Sequence, residues 1–348
     1  MRLHVTAVGL VLVNEYATEV AIEELRDALR KTQKQLAKAK QRTDELVAVT
    51  HAAAREAMLA AGGVKLPPKR VKSRSKRTGE VALWHLTDWQ GSKVTPSYNS
   101  QVMRDRVMRF CDKANAITEI QRADHPVDDC VIMLGGDMVE GLFNFPTQPF
   151  EIDATIFEQY VNVSRLLVET VTQALSIYSN VTVIGEWGNH GRMGSKRDAV
   201  PRSDNIDRMC YELARQLLAN DSRVTWQDCP EDIQRVEIGN YRALLIHGDE
   251  VGRNGFASPM TIVQHVNRWR SGSYPWEFRD VYIGHYHTHN EWAMANGLGS
   301  VYQTGSTESD NRYAGVMLAA SATPSQRLHF VDPEKGRVTA AYKVWLDQ

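Results

Sequence analysis

Five short apolar runs, each followed directly by polar side chains, constrain the fold of this chain more than any other feature. The runs are rich in β-branched residues, and longer stretches with helical periodicity lie among them, a pattern typical of an α/β sheet. They span residues 81–86, 130–134, 181–184, 242–246 and 281–283. Because open α/β sheets gather functional groups at the carboxyl ends of their strands, we expect the five polar ends to meet.

The residues that follow these runs have the composition of a metal site. They read Thr87-Asp88-Trp89-Gln90, Gly135-Gly136-Asp137, Gly188-Asn189-His190-Gly191-Arg192, His247-Gly248-Asp249 and Gly284-His285-Tyr286-His287. Carboxylate, amide oxygen and imidazole are suitable ligands for Mn, Fe or Zn. The spacing of His285 and His287 places both rings on the same side of a strand end. Each motif alone is a weak signal, but five in succession favour a metal site.

In this order, the motifs D-x-x, G-D-x-x-x-G, G-N-H, H-G and G-H-x-H resemble the signature of the calcineurin-like metallophosphoesterase superfamily. The G-N-H-G-R form is similar to members encoded by bacteriophages and, more distantly, to double-strand-break repair nucleases. The resemblance covers roughly residues 80–310. It implies an α/β fold, namely a four-layer αββα sandwich in which helices flank two mixed β-sheets.

The resemblance also implies a role for each site residue. The implied ligands are Asp88, Gln90 and His287 for one cation, Asn189, His247 and His285 for the other, and Asp137 between the two. His190 would bind no metal, but would contact the phosphate and protonate the leaving oxygen. The implied cofactor is therefore a pair of divalent metal ions. Manganese is the expected metal, with iron, zinc, nickel and magnesium as alternatives.

The first motif departs from the superfamily pattern D-x-H, because position 90 is glutamine. An amide carbonyl is a poorer ligand than imidazole for a transition metal. The cation at Asp88 and His287 is therefore expected to bind more weakly, to exchange more readily or to be a harder ion such as Mn, and its loss is a further alternative. His85 would point to the opposite face of its strand and cannot replace the missing imidazole.

Two segments precede the motif-bearing domain, which we place at residues 80–348. Residues 15–61 contain neither proline nor glycine and are rich in helix-forming residues, which predicts a long helix within an N-terminal segment at residues 1–61. Its irregular apolar spacing allows a coiled coil, and we expect a homo-oligomer, most simply a dimer. A basic linker at residues 62–79 has seven Lys or Arg and no acid between residues 65 and 77. It could contact nucleic acid or be an ordinary solvated linker.

Two further features concern the substrate. Basic residues follow the G-N-H motif and either contact phosphate, with Arg192 as the candidate, or form a solvated loop; they are Arg192, Lys196, Arg197 and Arg202. Residues 251–280 combine aromatic side chains with arginines. Those rings either stack on bases beside the site or pack into a small core of their own.

Composition excludes several classes of protein. The net charge of -1 indicates neither a strongly acidic nor a strongly basic partner. The four cysteines are scattered, which argues against a disulfide framework or a thiolate zinc site. No apolar segment approaches the length of about 20 residues that a membrane-spanning helix needs. We therefore expect no membrane association and a cytoplasmic location, in a host cell if the protein is virus-encoded.

The sequence thus predicts a two-metal phosphoesterase, in which the two cations activate a water for attack on phosphorus. A phosphodiesterase or nuclease acting on nucleic acid is the favoured form. A small-molecule phosphatase or cyclic-nucleotide phosphodiesterase is the alternative enzyme. A binding scaffold that has lost catalysis is the third hypothesis; Gln90 favours it, while the retained aspartate, asparagine and histidines argue against it.

Overall fold

The computed structural model describes residues 27, 29–31, 33–34, 38, 45, 48–60, 64–70, 79–144, 147–194, 201–228, 233–251, 257–297, 299–311 and 323–347. The chain divides into two compact units, Met1–Ala61 and Gly62–Gln348. In the first unit, every described residue between 27 and 60 is helical. The coiled coil and the homo-oligomer expected there stay predictions.

The second unit contains eleven strands and four α-helices among its described residues. The strands are β1 (Glu80–Leu86), β2 (Val127–Leu134), β3 (Asn180–Gly185), β4 (Val224–Trp226), β5 (Gln234–Ile238), β6 (Tyr241–Ile246), β7 (Asp280–Ile283), β8 (Asn290–Ala293), β9 (Ser300–Gln303), β10 (Ser325–Asp332) and β11 (Arg337–Trp345). The helices are α1 (Ser100–Gln121), α2 (Ile156–Leu175), α3 (Ile206–Leu218) and α4 (Pro259–Arg268).

The strands form two mixed sheets. The first sheet has the order β11-β10-β1-β2-β3-β4, in which β1 to β4 are parallel and β10 and β11 are antiparallel to their neighbours. The second has the order β5-β6-β7-β9-β8, with β6, β7 and β9 parallel and both edge strands antiparallel. The parallel strands at the centre of each sheet therefore deliver their carboxyl ends to one side of that sheet.

The two sheets pack face to face, and helices cover the outer faces. Leu83 and Met133 of the first sheet share one buried core with Leu245 and Tyr282 of the second. On the outside of the first sheet, the Trp84 ring meets Phe110 of α1 edge-on at 5.3 Å between centroids. On the outside of the second sheet, buried residues of α4 join those of β6 and β7 in another core. This arrangement confirms the predicted αββα sandwich.

Local sequence signals set where the helices begin. Asn99 accepts a hydrogen bond from the backbone N–H of Val102 and caps α1. Thr155 and Glu158 form a reciprocal capping box at α2. Asn205 caps α3, and Ser258 caps α4, whose first residue is a proline. Each cap satisfies a backbone donor that would otherwise lack a partner, so the chain turns into its helices at defined points.

The five runs that lead to the motifs are confirmed as β1, β2, β3, β6 and β7. The helices that the sequence predicts at residues 100–122, 156–178 and 205–220 are present as α1, α2 and α3. Sequence reasoning missed β4, β5, β8 and α4. The short apolar run at residues 315–319 also predicts a strand, but these residues lie outside the described part of the chain. No helix in the described part of the chain is long and apolar enough to cross a membrane. Cys111, Cys130 and Cys210 are free and buried.

The described part of the basic linker, residues 64–70, lacks regular secondary structure and is not fully solvated. The Arg223 guanidinium donates hydrogen bonds to the carbonyls of Pro67 and Pro68. Arg70 forms an ion pair with Glu119 at 3.1 Å. The start of the linker is therefore attached to the motif-bearing domain, whereas residues 71–78 lie outside the described part of the chain.

Candidate metal centre

Five of the seven predicted ligands have a left-handed backbone conformation. Their φ angles are 52° for Asp88, 48° for Gln90, 53° for Asp137, 67° for His285 and 55° for His287. Each such residue costs on the order of 1–3 kcal/mol, and residues of this kind cluster at functional sites. The chain bends sharply after β1, β2 and β7, which turns these side chains toward one another.

His247 is the centre of the first ligand group. Its Nε2 atom lies 3.2 Å from Asn189 Oδ1, 3.1 Å from Asp137 Oδ2 and 3.2 Å from His285 Nδ1. All four side chains are buried or nearly so. Lone pairs that face each other at this distance repel unless a proton or a cation lies between them. The geometry therefore fits one cation held by these four residues.

The second ligand group shares Asp137 with the first. His287 Nε2 lies 3.3 Å from Asp88 Oδ1 and 3.3 Å from the Gln90 Nε2 atom. The same Gln90 nitrogen is 3.4 Å from Asp137 Oδ2. The sequence-predicted ligands thus come together as two groups, and Asp137 is the residue common to both.

Gln90 occupies the place where the sequence predicts a weaker ligand. Its side chain is 1% exposed, and its Oε1 atom is buried without a hydrogen-bond partner. The oxygen and nitrogen of an amide are assigned from the surrounding contacts, and rotating the amide by 180° exchanges them. After this rotation the carbonyl oxygen would face His287 and Asp137, so that all three side chains could bind the same cation. An orphaned oxygen and this alternative orientation both fit a cation on that side.

Hydrogen bonds behind the ligands fix which imidazole nitrogen faces the centre. His247 Nδ1 lies 2.8 Å from the carbonyl oxygen of Gly135, to which it donates its proton. His287 Nδ1 lies 3.1 Å from the Glu308 carboxylate. In the neutral form of each ring, Nε2 is then the unprotonated nitrogen available to a metal, the arrangement that metal-binding histidines commonly adopt. Glu308 follows no recognisable motif, so sequence reasoning missed it.

Asp207 holds the loop that carries Asp137. Its carboxylate accepts hydrogen bonds from the backbone N–H groups of Asp137 and Gly188 at 2.9 Å, of Met138 at 3.1 Å and of Val139 at 3.2 Å. Burial, followed by the charge of Asp137, raises the pKa of Asp207 to about 6. Asp207 lies in α3 and therefore joins two ligand-bearing loops. Sequence reasoning missed this role, because an acidic residue within a helical pattern gives no signal of it.

Two glycines allow the ligand loops to approach closely. A Cβ atom on Gly188 would lie 2.0 Å from Asp137 Oδ1, and one on Gly284 would lie 2.5 Å from Asp88 Oδ2. No side chain fits at such distances. The glycines of the G-N-H and G-H-x-H motifs are thus required by the packing of the ligand carboxylates.

His190 lies beside the shared aspartate but is held from another direction. Its Nδ1 atom is 2.9 Å from the carbonyl oxygen and 3.2 Å from the carboxylate Oε2 of Glu140, and its Nε2 is 3.9 Å from Asp137 Oδ2. Burial alone would lower the pKa of His190, but the charges of Asp137 and Glu140 raise it to about 9. The ring is therefore suited to carry a proton on the side that faces the ligands.

The charges of the site also favour a cation. Burial alone would raise the pKa of Asp137, but His247 and His190 hold it below its ordinary value. Burial alone would lower the pKa of His287, but hydrogen bonds with Asp88 and Glu308 raise it to about 10. Carboxylates at this depth need compensating positive charge, supplied either by protons on the imidazoles or by metal ions.

The side chains of Asp137, His247 and His285 offer ligand atoms that all lie within 4.8 Å of one another. The acids, the amide oxygens and the imidazoles together match the donors preferred by Mn, Fe and Zn. The residues present therefore fit a divalent metal centre.

Arg192, the predicted substrate contact, forms an ion pair with Asp249, which follows the H-G motif. Arg202 pairs with Glu250 and lies 3.4 Å from Glu186. Both arginines thus connect the G-N-H loop region to the loop after β6. Lys196 and Arg197 lie outside the described residues, and the role of Arg192 in substrate binding stays a prediction.

The aromatic residues between 251 and 280 pack mainly against the second sheet. Trp269, Tyr274 and Trp276 lie against the core formed by β6, β7 and α4. The Arg235 guanidinium lies over the rings of both Tyr274 and Trp276, at 5.8 and 5.7 Å from their centroids. These contacts favour the small packed core over base stacking for the three rings.

Comparison with known proteins gives matches only among solved structures. No protein-family model matches the chain, and no curated protein sequence matches it. Zinc-bound Vps29 from Entamoeba histolytica is 12% identical, with a TM-score of 0.34, and the match covers 76% of this chain and 99% of that one. A predicted phosphoesterase from Streptococcus pneumoniae is 10% identical, with a TM-score of 0.29 and coverage of 77% and 99%.

A putative 5'-nucleotidase from Staphylococcus aureus is 11% identical, with a TM-score of 0.33 and coverage of 78% of this chain and 55% of that one. At such low identities and TM-scores, the chemistry has to be derived from the side chains of this chain.

Proposed function

We propose that this protein is a two-metal phosphoesterase and that its substrates are phosphodiesters of nucleic acid. The observation that carries the proposal is the pair of ligand groups that share Asp137, one around His247 and the other around Asp88 and His287. A structural metal site has no need of two adjacent groups joined by one carboxylate. Two bound cations would polarise a phosphoryl oxygen and lower the pKa of a water that attacks phosphorus.

His190 serves as the proton donor in this proposal. Glu140 holds the ring through Nδ1, so Nε2 is directed to the side where Asp137 lies. From there it donates a proton to the leaving oxygen, which would otherwise depart as a costly alkoxide. Asp207 and Glu308 keep the shared aspartate and His287 in place.

Two exposed aromatic side chains on the segment that contacts the G-N-H loop support a nucleic-acid substrate. Phe143 is 41% exposed and Phe150 is 87% exposed. Residues close to them in the sequence contact the G-N-H loop. Asn144 donates a hydrogen bond to the carbonyl of Asn189, and Gln148 Nε2 lies 3.4 Å from His190 Nδ1. Unpaired bases stack on such rings, and each stacked base stabilises binding by about 1–3 kcal/mol.

The proposal is tested by hydrolysis of bis-p-nitrophenyl phosphate with and without Mn, for the wild type beside His190→Ala and Asp137→Asn. Mn-dependent turnover is expected for the wild type. On methyl phenyl phosphate, whose phenolate needs a proton to leave, His190→Ala should lower kcat by roughly 10²–10⁴-fold with the metal content unchanged, the range for loss of a general acid. The loss on bis-p-nitrophenyl phosphate should be smaller, because p-nitrophenolate leaves without a proton. Asp137→Asn should lose both metals. A wild type that takes up no divalent metal would contradict the proposal and support a binding scaffold.

The same experiment includes a single-stranded oligonucleotide as the second substrate. Phe150→Ala is expected to raise KM for the oligonucleotide by about tenfold, the lower range for removal of one base stack, with turnover of the small diester unchanged. Phe157→Ala is the matched control, because Phe157 is 46% exposed but lies in the first turn of α2, outside the segment that contacts the G-N-H loop. Equal effects of the two variants, or turnover of monoesters alone, would refute the nucleic-acid assignment and favour a small-molecule phosphatase.

A further inference from the structure

Behind Glu140, the residue that holds His190, lie two further charged residues, Lys93 and Glu151. Glu140 is 1% exposed, and its side chain faces His190 on one side and Lys93 on the other. Lys93 Nζ lies 3.3 Å from Glu140 Oε1 and 2.7 Å from Glu151 Oε2. The lysine side chain is itself only 13% exposed. The imidazole, a buried carboxylate and a largely buried ammonium group therefore contact one another in succession.

The two oxygens of Glu140 have different partners. Oε1 receives the ammonium group of Lys93 and a hydrogen bond from Gln148 Nε2 at 3.2 Å. Oε2 is left to His190 Nδ1 at 3.2 Å. The Gln148 amide also donates to the backbone carbonyl of Glu140 at 2.6 Å. Because Oε1 is occupied, the carboxylate is turned so that Oε2 faces the imidazole.

We propose that Lys93 is a positioning residue for proton donation by His190, acting through Glu140. This inference rests on the proposed function. When His190 releases its proton to the leaving oxygen, Glu140 loses the positive charge of the imidazolium but keeps that of Lys93. A buried carboxylate without any cation is strongly disfavoured. Lys93 therefore keeps the Glu140 carboxylate paired and oriented throughout the transfer, so Oε2 holds the ring both before and after it.

The position of Lys93 in the chain suits this role. It lies in the loop that follows β1, three residues after Gln90, and its backbone N–H donates to the Gln90 carbonyl at 2.8 Å. The loop that carries two of the metal ligands thus also carries the counterion of Glu140. A purely structural role would depend equally on Glu151, the exposed second partner of Lys93, and this difference gives the test its control.

The experiment compares Lys93→Met, Lys93→Arg and Glu151→Gln on methyl p-nitrophenyl phosphate and methyl phenyl phosphate. The p-nitrophenolate group leaves without help, whereas phenolate needs a proton. Lys93→Met is expected to lower kcat at least tenfold for the phenyl ester and less than threefold for the p-nitrophenyl ester, with the metal content unchanged. Lys93→Arg should restore most of the loss, and Glu151→Gln should behave as the wild type.

Equal losses on the two esters, or a loss in Glu151→Gln as large as that in Lys93→Met, would overturn the inference in favour of a structural role. Thermal unfolding checks that Lys93→Met is folded, and Lys93→Gln replaces it if it is not. Absence of turnover in the wild type with every metal would instead overturn the proposed function.

A second measurement does not depend on activity. The Nδ1 proton of His190, identified by its loss in His190→Gln, should give a slowly exchanging downfield proton NMR signal without added metal. That signal is expected in the wild type and in Glu151→Gln, and it should disappear or move in Lys93→Met. An unchanged signal in Lys93→Met would overturn the inference whatever the enzyme assay shows.

Discussion

At the scale of single residues, Gln90 distinguishes this site from one with the D-x-H motif, because an amide stands where that motif has an imidazole. Its amide is buried beside His287 and Asp137, in contact with both. A neutral carbonyl oxygen donates less strongly to a transition metal than an imidazole nitrogen does. The two cations should therefore differ in affinity, and the one beside Asp88 should be the weaker.

Gln90→His should reduce this difference. We expect the weaker site to bind zinc more tightly by at least about tenfold, the scale on which even groups behind the ligands alter metal affinity. Isothermal titration of the metal-free protein with zinc measures both sites. Gln90→Leu, which has no ligand atom, is the control and should weaken the same site further. Equal affinities in all three proteins would show that position 90 does not contact the metal.

The ligands themselves could be predicted from the sequence, because each follows a strand in a short motif. Asp207, Glu140 and Glu308 could not, since their roles depend on how distant segments meet. Asp207, for example, reaches the Asp137 loop from α3, 70 residues further along the chain. Arg192 shows the converse: its motif was visible, but its ion pair with Asp249 was not.

At the scale of secondary-structure elements, a chain of polar side chains runs through the interface of the two sheets. Arg327 Nη1 donates to His329 Nε2 at 3.1 Å, because an arginine can only donate. His329 therefore carries its proton on Nδ1, which lies 2.9 Å from the Tyr282 hydroxyl. Tyr282 lies 3.0 Å from the Tyr241 hydroxyl, which donates to Asp280. Because Nε2 must accept from Arg327, His329 has to be neutral.

This requirement predicts that acid weakens the fold through His329. Burial, followed by the charge of Arg327, lowers the pKa of His329 well below its ordinary value. As the pH falls below about 6.5, the unfolded chain binds a proton at this histidine and the folded chain does not. Stability present above that pH is therefore lost on acidification, by up to about 1.4 kcal/mol per pH unit.

His329→Gln keeps a donor and an acceptor but removes the titration. Urea unfolding of both metal-free proteins between pH 7.5 and 5.5 should give a shallower pH dependence for the variant. The two proteins share every other histidine, so the pH dependence that those residues contribute cancels in the comparison. Parallel pH profiles would show that His329 is not held neutral.

The elements that the sequence predicted are those with long or strongly apolar patterns. Strand β4, which the sequence did not predict, has only three residues. Strand β5, also not predicted, alternates buried and exposed positions and is not followed by a motif. Helix α4 was not predicted either. Its N-cap Ser258 and its first residue Pro259 are a helix start signal, but aromatic residues surround them in the sequence and obscure it. Short elements depend on pairing with neighbours, which a single sequence does not display.

At the scale of the whole molecule, the chain divides after Ala61. The second unit has its own cores between the sheets and beneath α4. Its boundary lies before the basic linker, whose prolines are hydrogen-bonded by Arg223. The candidate metal centre and the residues that hold its ligands therefore all belong to the second unit, and residues 1–61 contribute none of them.

Removal of residues 1–61 should leave a folded, metal-binding protein that hydrolyses the small diester as the full chain does. If the helix makes the oligomer, light scattering will give a dimer for the full chain and a monomer for the truncated one.

Removal of residues 1–78 also deletes the seven basic residues. This second truncation should weaken oligonucleotide binding and reduce the slope of log K against log salt, by about 0.7 for each phosphate of a single strand that the basic residues had neutralised. An unchanged oligomer would refute the coiled coil, and an unchanged salt slope would identify the basic segment as an ordinary linker.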